Sequence, residues 1–161
     1  MEYRFNIAPF PALAKKYPGQ ARAAIDETLN HIAMRMEKEV KERTPAGVGG
    51  AAGLRGSIFG QVFKYGKKQG AVVATHQPYG EPVEYGSKPH FPPVGPLELW
   101  VRRKLGVDKD EARSVAFAIA FKISRHGTRG AFMFTQAFRD NDHWINREMG
   151  KIPERITRRL H

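Results

Sequence analysis

Histidine is the first residue type in this sequence to invite chemistry, because imidazole ligates metals and moves protons near neutral pH. His31, His76, His90, His126, His143 and His161 never fall four apart and share no ligand motif, so they read as surface or hydrogen-bonding histidines. Gly47-x-Gly49-Gly50 and Gly127-x-x-Gly130 have the look of phosphate-cradling loops. Neither follows a strand and opens a helix with the lysine or acidic partner that a nucleotide site needs. Ser57, Ser87, Ser114 and Ser124 lack a nucleophile-elbow context, and no pair of carboxylates stands apart from helical salt-bridge spacing. The chain has no cysteine, which removes disulfide scaffolds, thiolate zinc sites, iron–sulfur clusters and thiol catalysis together. The expectation is a protein that is no enzyme and carries neither cofactor nor metal.

The basic residues are the more informative set. The 27 Lys and Arg outnumber the 16 Asp and Glu, giving a net charge of +11. They gather in three places: Arg55, Lys64, Lys67 and Lys68; Arg102, Arg103 and Lys104; and Arg155, Arg158 and Arg159. A charge run is ordinarily a solvated face. Three runs together point to a surface that meets nucleic acid or an acidic protein, although no helix-turn-helix, zinc-finger or RNA-recognition signature accompanies them. Contact with DNA would then be limited to phosphates, indifferent to sequence and steeply dependent on salt. The first cluster is the leading candidate for an acidic neighbour, since a protruding hairpin reaches an adjacent subunit.

The elements that must position these groups follow from periodicity. Between Pro18 and Arg43, Ala21, Ile25, Leu29, Ile32, Met36 and Val40 recur at steps of four and three, the stripe of an amphipathic helix. Arg35–Glu39, Glu37–Lys41 and Glu39–Arg43 have i,i+4 spacing that supports it. Thr44-Pro45 ends it, and 45–53 reads as a flexible glycine loop. Residues 54–65 and 71–76 alternate apolar and polar types around a basic tip at 66–70, which predicts a β-hairpin. The Pro- and Gly-rich stretch 78–93 admits no long regular element. Pro96 opens a short helix that Gly106 closes. Asp108 and Glu111 have capping-box spacing and introduce a helix over about 109–125. In the last segment, apolar phase persists across Gly150 and Pro153, which fits either one kinked helix or a second one starting near Pro153.

On the 109–125 helix, Phe117 and Phe121 lie roughly 150° from the Val115–Ile119–Ile123 stripe. Such a second apolar face is either buried between layers of the same domain or reserved for a subunit interface. Leu, Ile, Val and Phe total only 36 of 161 residues, so the core is thin for a chain of this charge. The pattern predicts one α+β domain over 1–161: a flexible N-terminus of about 1–17, a long N-terminal helix, an antiparallel sheet built on the hairpin, and two or more later helices packed on one face. No apolar run approaches the ~18 residues needed to span a bilayer, so no membrane role is expected.

The stretch "YGEPVEYGSKPHFPPVGPLELWVRRKLG", a helix, and then "HGTRGAFMFTQAF" resembles the tail-completion, or neck, proteins of long-tailed bacteriophages, the tail components akin to minor tail protein Z. The matching residues include Tyr79, Glu84, Tyr85, Gly86, Ser87, Pro89, His90, Trp100, Gly127 and Thr128. The upstream "RTPAGVGGAAGLRGSI" also looks like the family's stretch before the hairpin. Ser87 stands where threonine is commoner, and Arg129-Gly130 stand where a proline is often found. The resemblance implies a structural virion protein of the head–tail connector, made in the host cytoplasm and forming part of the DNA passage. It also implies a homo-oligomeric ring, expected to be six-fold, with head-completion and tail-terminator or tail-tube proteins as neighbours and only transient nonspecific contact with genomic DNA. The other class that the charge allows is a free-standing, sequence-nonspecific nucleic-acid-binding protein.

Overall fold

The computed structural model describes residues 10–47, 53–65 and 68–160. The expectations placed on residues 1–9, on the loop at 48–52, on the hairpin tip at 66–67 and on His161 therefore lie outside the described residues. For Phe10, Tyr65 and Lys68 only the backbone is described. The architecture is α+β: a long N-terminal helix, an antiparallel hairpin packed on it, and later helices. The chain folds into two compact units. The first holds Met1–Glu39, Phe59–Ala74 and Gln136–His161, and the second holds Val40–Ile58 and Thr75–Thr135.

In the first unit, α1 (Phe10–Lys16) packs against the C-terminal helix α8 (Ile152–Arg158). Part of the stretch read as a flexible N-terminus is thus helical. Helix α2 runs Pro18–Arg43, as its apolar stripe predicts. Ala21, Leu29, Ile32, Met36 and Val40 of that stripe are buried, and so are Ala24, Thr28 and Ala33, so small residues widen it. The Thr28 hydroxyl donates to the Ala24 carbonyl at 2.8 Å, which satisfies it inside the core. The helix stops where Pro45 disfavours helical backbone at the preceding residue.

Leu54–Ser57 is one helical turn, α3, and the strand expected from Leu54 begins only at Ile58. The Ser57 N–H donates to the Gly53 carbonyl at 3.0 Å and the Ser57 hydroxyl to that of Leu54 at 2.8 Å, local bonds that a four-residue pattern does not distinguish from extended chain. Strand β1 spans Ile58–Tyr65 and β2 spans Lys68–Thr75, three residues earlier than the alternation suggests. Within the first unit the hairpin is tied to α2. The Gly60 N–H donates to a Glu37 carboxylate oxygen at 2.8 Å, the Lys64 ammonium meets Asp26 at 2.7 Å, and the Gln69 amide donates to the same carboxylate.

In the second unit, α4 (Gly80–Tyr85) leads directly into β3 (Gly86–Ser87). Helix α5 (Val94–Leu105) closes at Gly106, whose N–H donates to the Arg102 carbonyl. Helix α6 (Lys109–His126) starts at Asp108, whose side chain accepts from the Glu111 N–H at 2.9 Å. The two helices pack on each other around Val101, Ala112 and Ala116, with Leu97, Trp100 and Ile119 at the margin. Alanines at the centre bring the two backbones close. Strand β4 (Thr128–Arg129) pairs antiparallel with β3, and α7 (Met133–Gly150) follows. Most of α7 (from Gln136) and all of α8 belong to the first unit, where a second helix starts in place of a kink: α8 has Pro153 in its first turn, where the missing N–H costs no hydrogen bond.

Candidate functional site

The residues behind the family resemblance converge in the second unit, although they come from two stretches some forty residues apart. Gly86 faces Arg129 and Ser87 faces Thr128 in the β3–β4 pair. The Ser87 hydroxyl lies 2.9 Å from the Thr128 hydroxyl, which also accepts from the Ser87 N–H at 2.9 Å. Gly86 and Gly127 are required on two counts. Both have positive φ, +87° and +67°, and a Cβ on Gly86 would come within 2.3 Å of the Thr128 carbonyl oxygen, one on Gly127 within 2.0 Å of that of Ser87.

Glu84 completes this clamp. Its side chain is buried and accepts three hydrogen bonds at the start of α7: from the Phe134 N–H at 2.9 Å, the Thr135 N–H at 2.9 Å and the Thr135 hydroxyl at 2.7 Å. A carboxylate from fifty residues upstream therefore caps that helix, where orphan N–H groups and the helix dipole both favour negative charge. The backbone continues the arrangement, with the Ala131 and Phe132 N–H groups donating to the Val83 and Glu84 carbonyls at 2.8 and 2.9 Å. Phe132 is held at φ +51°, a conformation that side chains with a Cβ rarely adopt. A cleft of about 480 Å³ nearby is lined by His76, Glu81, Glu84, Tyr85 and Phe134 among others. Both Glu84 oxygens are engaged in the cap, so this carboxylate positions backbone.

The other motif residues belong to the same unit. His90 Nδ1 is 2.9 Å from the Lys88 carbonyl; a carbonyl only accepts, so that nitrogen carries the proton and closes a local turn. Trp100 donates weakly to the Ala46 carbonyl at 3.4 Å. Pro89 follows the β3 strand in the extended stretch before α5. Tyr79 precedes α4, and Tyr79 and Tyr85 are exposed.

Phe117 and Phe121 are not buried between layers. They are 47% and 54% exposed on the outer face of α6, with the Arg125 guanidinium 4.3 Å from the Phe121 ring centroid. Leu99 and Leu105 of α5 are exposed too.

The basic clusters separate by what they touch. Arg55 belongs to α3 and not to the hairpin, and its guanidinium donates to the Thr44 carbonyl at 2.5 Å. Lys64 is paired with Asp26. Lys67 lies outside the described residues. The C-terminal cluster is neutralised inside the first unit: Arg158 meets Glu154 at 2.8 Å, Arg159 meets Glu27 at 2.6 Å, and Arg155 reaches Glu148 at 3.1 Å and the Thr28 hydroxyl at 2.7 Å. Glu148 is buried and also takes Lys151 at 2.5 Å and His31 at 3.4 Å. Burial pushes its carboxyl up, but the hydrogen bonds and charges of Lys151 and Arg155 outweigh it and hold the group below the ordinary carboxylate value. Glu27 is likewise lowered, chiefly by its hydrogen bond from Arg159 and then by the neighbouring arginine charges. Arg35 stacks 4.2 Å from the Trp144 ring, and His31 meets that ring edge-on. A cleft of about 300 Å³ lies beside Glu27, Lys151, Glu154, Arg155 and Arg158, but these cations are already matched by carboxylates. Sequence reasoning missed this network because Glu27 and Arg159 are 132 residues apart. Arg102, Arg103 and Lys104 in the last turn of α5 are exposed and pair with no carboxylate among the described residues.

Among the described residues, no three His, Asp or Glu side chains gather in a metal-holding group, and no helix is long and apolar enough to cross a membrane. No family model, curated protein or solved structure matches the chain.

Proposed function

We propose that this chain is a structural protein of a bacteriophage virion, placed at the head–tail connector or neck, where it joins or completes the tail and lines part of the DNA passage. It acts there as a subunit of a homo-oligomeric ring of expected six-fold symmetry, between head-completion proteins on one side and tail-terminator or tail-tube proteins on the other, without catalysis. The observation that supports this reading is the convergence of both signature segments into one architectural clamp. Glu84, Gly86, Ser87, Gly127 and Thr128 hold backbone to backbone and cap α7, a structural role. The exposed aromatic face of α6 supports a chain that works in an assembly, where apolar surface is covered. The unpaired cations of α5 suit weak, sliding contact with phosphates.

The test is to tag the chain and locate the tag by immunogold electron microscopy on phage particles released from the cell that makes it. Label at the head–tail junction is expected. Particles without label, or tight binding of the purified chain to one duplex sequence at ~150 mM salt, with each mismatch costing about 1–3 kcal/mol, would sink the reading.

A further inference from the structure

The outer face of α6 carries its own complement. Asp110, Ser114, Phe117, Phe121 and Arg125 are exposed and recur at steps of four, three, four and four along Lys109–His126, so they share one stripe. The stripe is acidic at its start, aromatic in the middle and basic at its end. It is also asymmetric in size, with small Ser114 on one side of Phe117 and large Phe121 on the other.

We infer that this face docks on the same face of a second copy, with the two α6 helices antiparallel about a two-fold axis between Phe117 and Ala118. In that register Asp110 lies level with Arg125 of the second copy, and Ser114 leaves the space that Phe121 of the second copy fills. The two Phe117 rings meet beside the axis. Glu111, on one flank, comes within about 3 Å along the axis of Lys122 of the second copy, while Arg113, on the other flank, faces Ser124. Both acid–base pairs and the size match occur in this one register, and each is made twice by symmetry. Parallel packing would set Asp110 against Asp110 and Arg125 against Arg125. Arg125 already lies over the Phe121 ring at 4.3 Å, so the cation is held beside the aromatic centre before docking. The contact involves one 18-residue helix from each copy, smaller than a standard interface, so a dissociation constant of about 10–100 µM is expected.

The contact is a property of the free subunit and does not depend on the neck assignment. Sedimentation of the full chain from about 5 to 500 µM should show a monomer–dimer equilibrium. Phe117→Asp should abolish it. Asp110→Arg and Arg125→Asp should each weaken it about tenfold or more, and the double swap should restore it. The chain has no cysteine, so disulfide trapping reads the register directly. An Ala118→Cys variant should cross-link to itself on oxidation. Asp110→Cys should not, yet it should cross-link when mixed with Arg125→Cys. A wild-type monomer throughout, a dimer indifferent to Phe117→Asp, or self-cross-linking of Asp110→Cys faster than the mixed reaction would each overturn the inference. Because the trapped pair identifies the register in any larger assembly, these results stand apart from where the tag is found on a particle.

Discussion

Replacing Glu84 by alanine should destabilise the second unit by about 2–4 kcal/mol. The carboxylate is 4% exposed and accepts three hydrogen bonds at 2.7–2.9 Å, two of them from backbone N–H groups of the first turn of α7. An exposed N-cap is worth about 0.5–2 kcal/mol. Here the Phe134 and Thr135 N–H groups would also be left in a half-buried place without an acceptor, and each unsatisfied donor costs about 1–3 kcal/mol before water relieves part of it. The combined figure sits above the cap value alone, and the favourable charge at the helix N-terminus is lost as well. With a urea slope of about 2 kcal/mol/M, the midpoint should fall by about 1–2 M. Glu84→Gln keeps one acceptor oxygen but turns an amide donor toward a backbone donor, so about half the loss is expected. Amide exchange localises the effect, since Phe134 and Thr135 should lose protection before the rest of α7 does. A midpoint shift below about 0.3 M for Glu84→Ala, with exchange at Phe134 and Thr135 unchanged, would refute the capping argument.

Gly86→Val and Gly127→Ala should sharply reduce the folded yield, because each pushes a Cβ into a carbonyl across the β3–β4 pair at positive φ; a soluble, cooperatively melting variant would show that the clamp can be rebuilt. Stability should fall as pH drops below about 4.5: Glu27 and Glu148 have folded values below their unfolded one, so their contribution is complete above the unfolded value and is lost as pH falls through the folded values. Urea midpoints between pH 3 and 6 check this, and Glu148→Gln should flatten the profile while removing about 1.5–3 kcal/mol at pH 7. Lys64→Gln should change stability by less than about 1 kcal/mol, since its pair with Asp26 is solvent-exposed. Replacing Arg102, Arg103 and Lys104 together with Gln should lower nonspecific DNA affinity and reduce the salt slope by about 3 if all three meet phosphates, measured by fluorescence anisotropy on a random duplex.

The helices were legible in the chain because their causes are local. The stripe from Ala21 to Val40, the Asp108 cap and Gly106 all act within a turn or a few turns, and α2, α5 and α6 form where these signals stand. The hairpin was legible for the same reason, although its edges were not: the four residues Leu54–Ser57 are too few for periodicity to separate a helical turn from extended chain. The sequence by itself also determined the composition of every candidate site, from a cysteine-free chain to an aromatic pair set apart from the buried stripe of α6.

Only the tertiary structure decided what those residues touch. It gave Glu84 its role as a cap for a helix fifty residues away, and joined Ser87 to Thr128. Arg155 and Arg159, which read as free cations, lie against Glu148 and Glu27, and Phe117 and Phe121, which had two readings, remain exposed. Periodicity records which face of an element is apolar, because that is a property of neighbours within a few residues. It carries no record of the partner, because pairing across 50 or 132 residues depends on how the elements pack, and a carboxylate placed to cap a remote helix has the same sequence signature as one facing water.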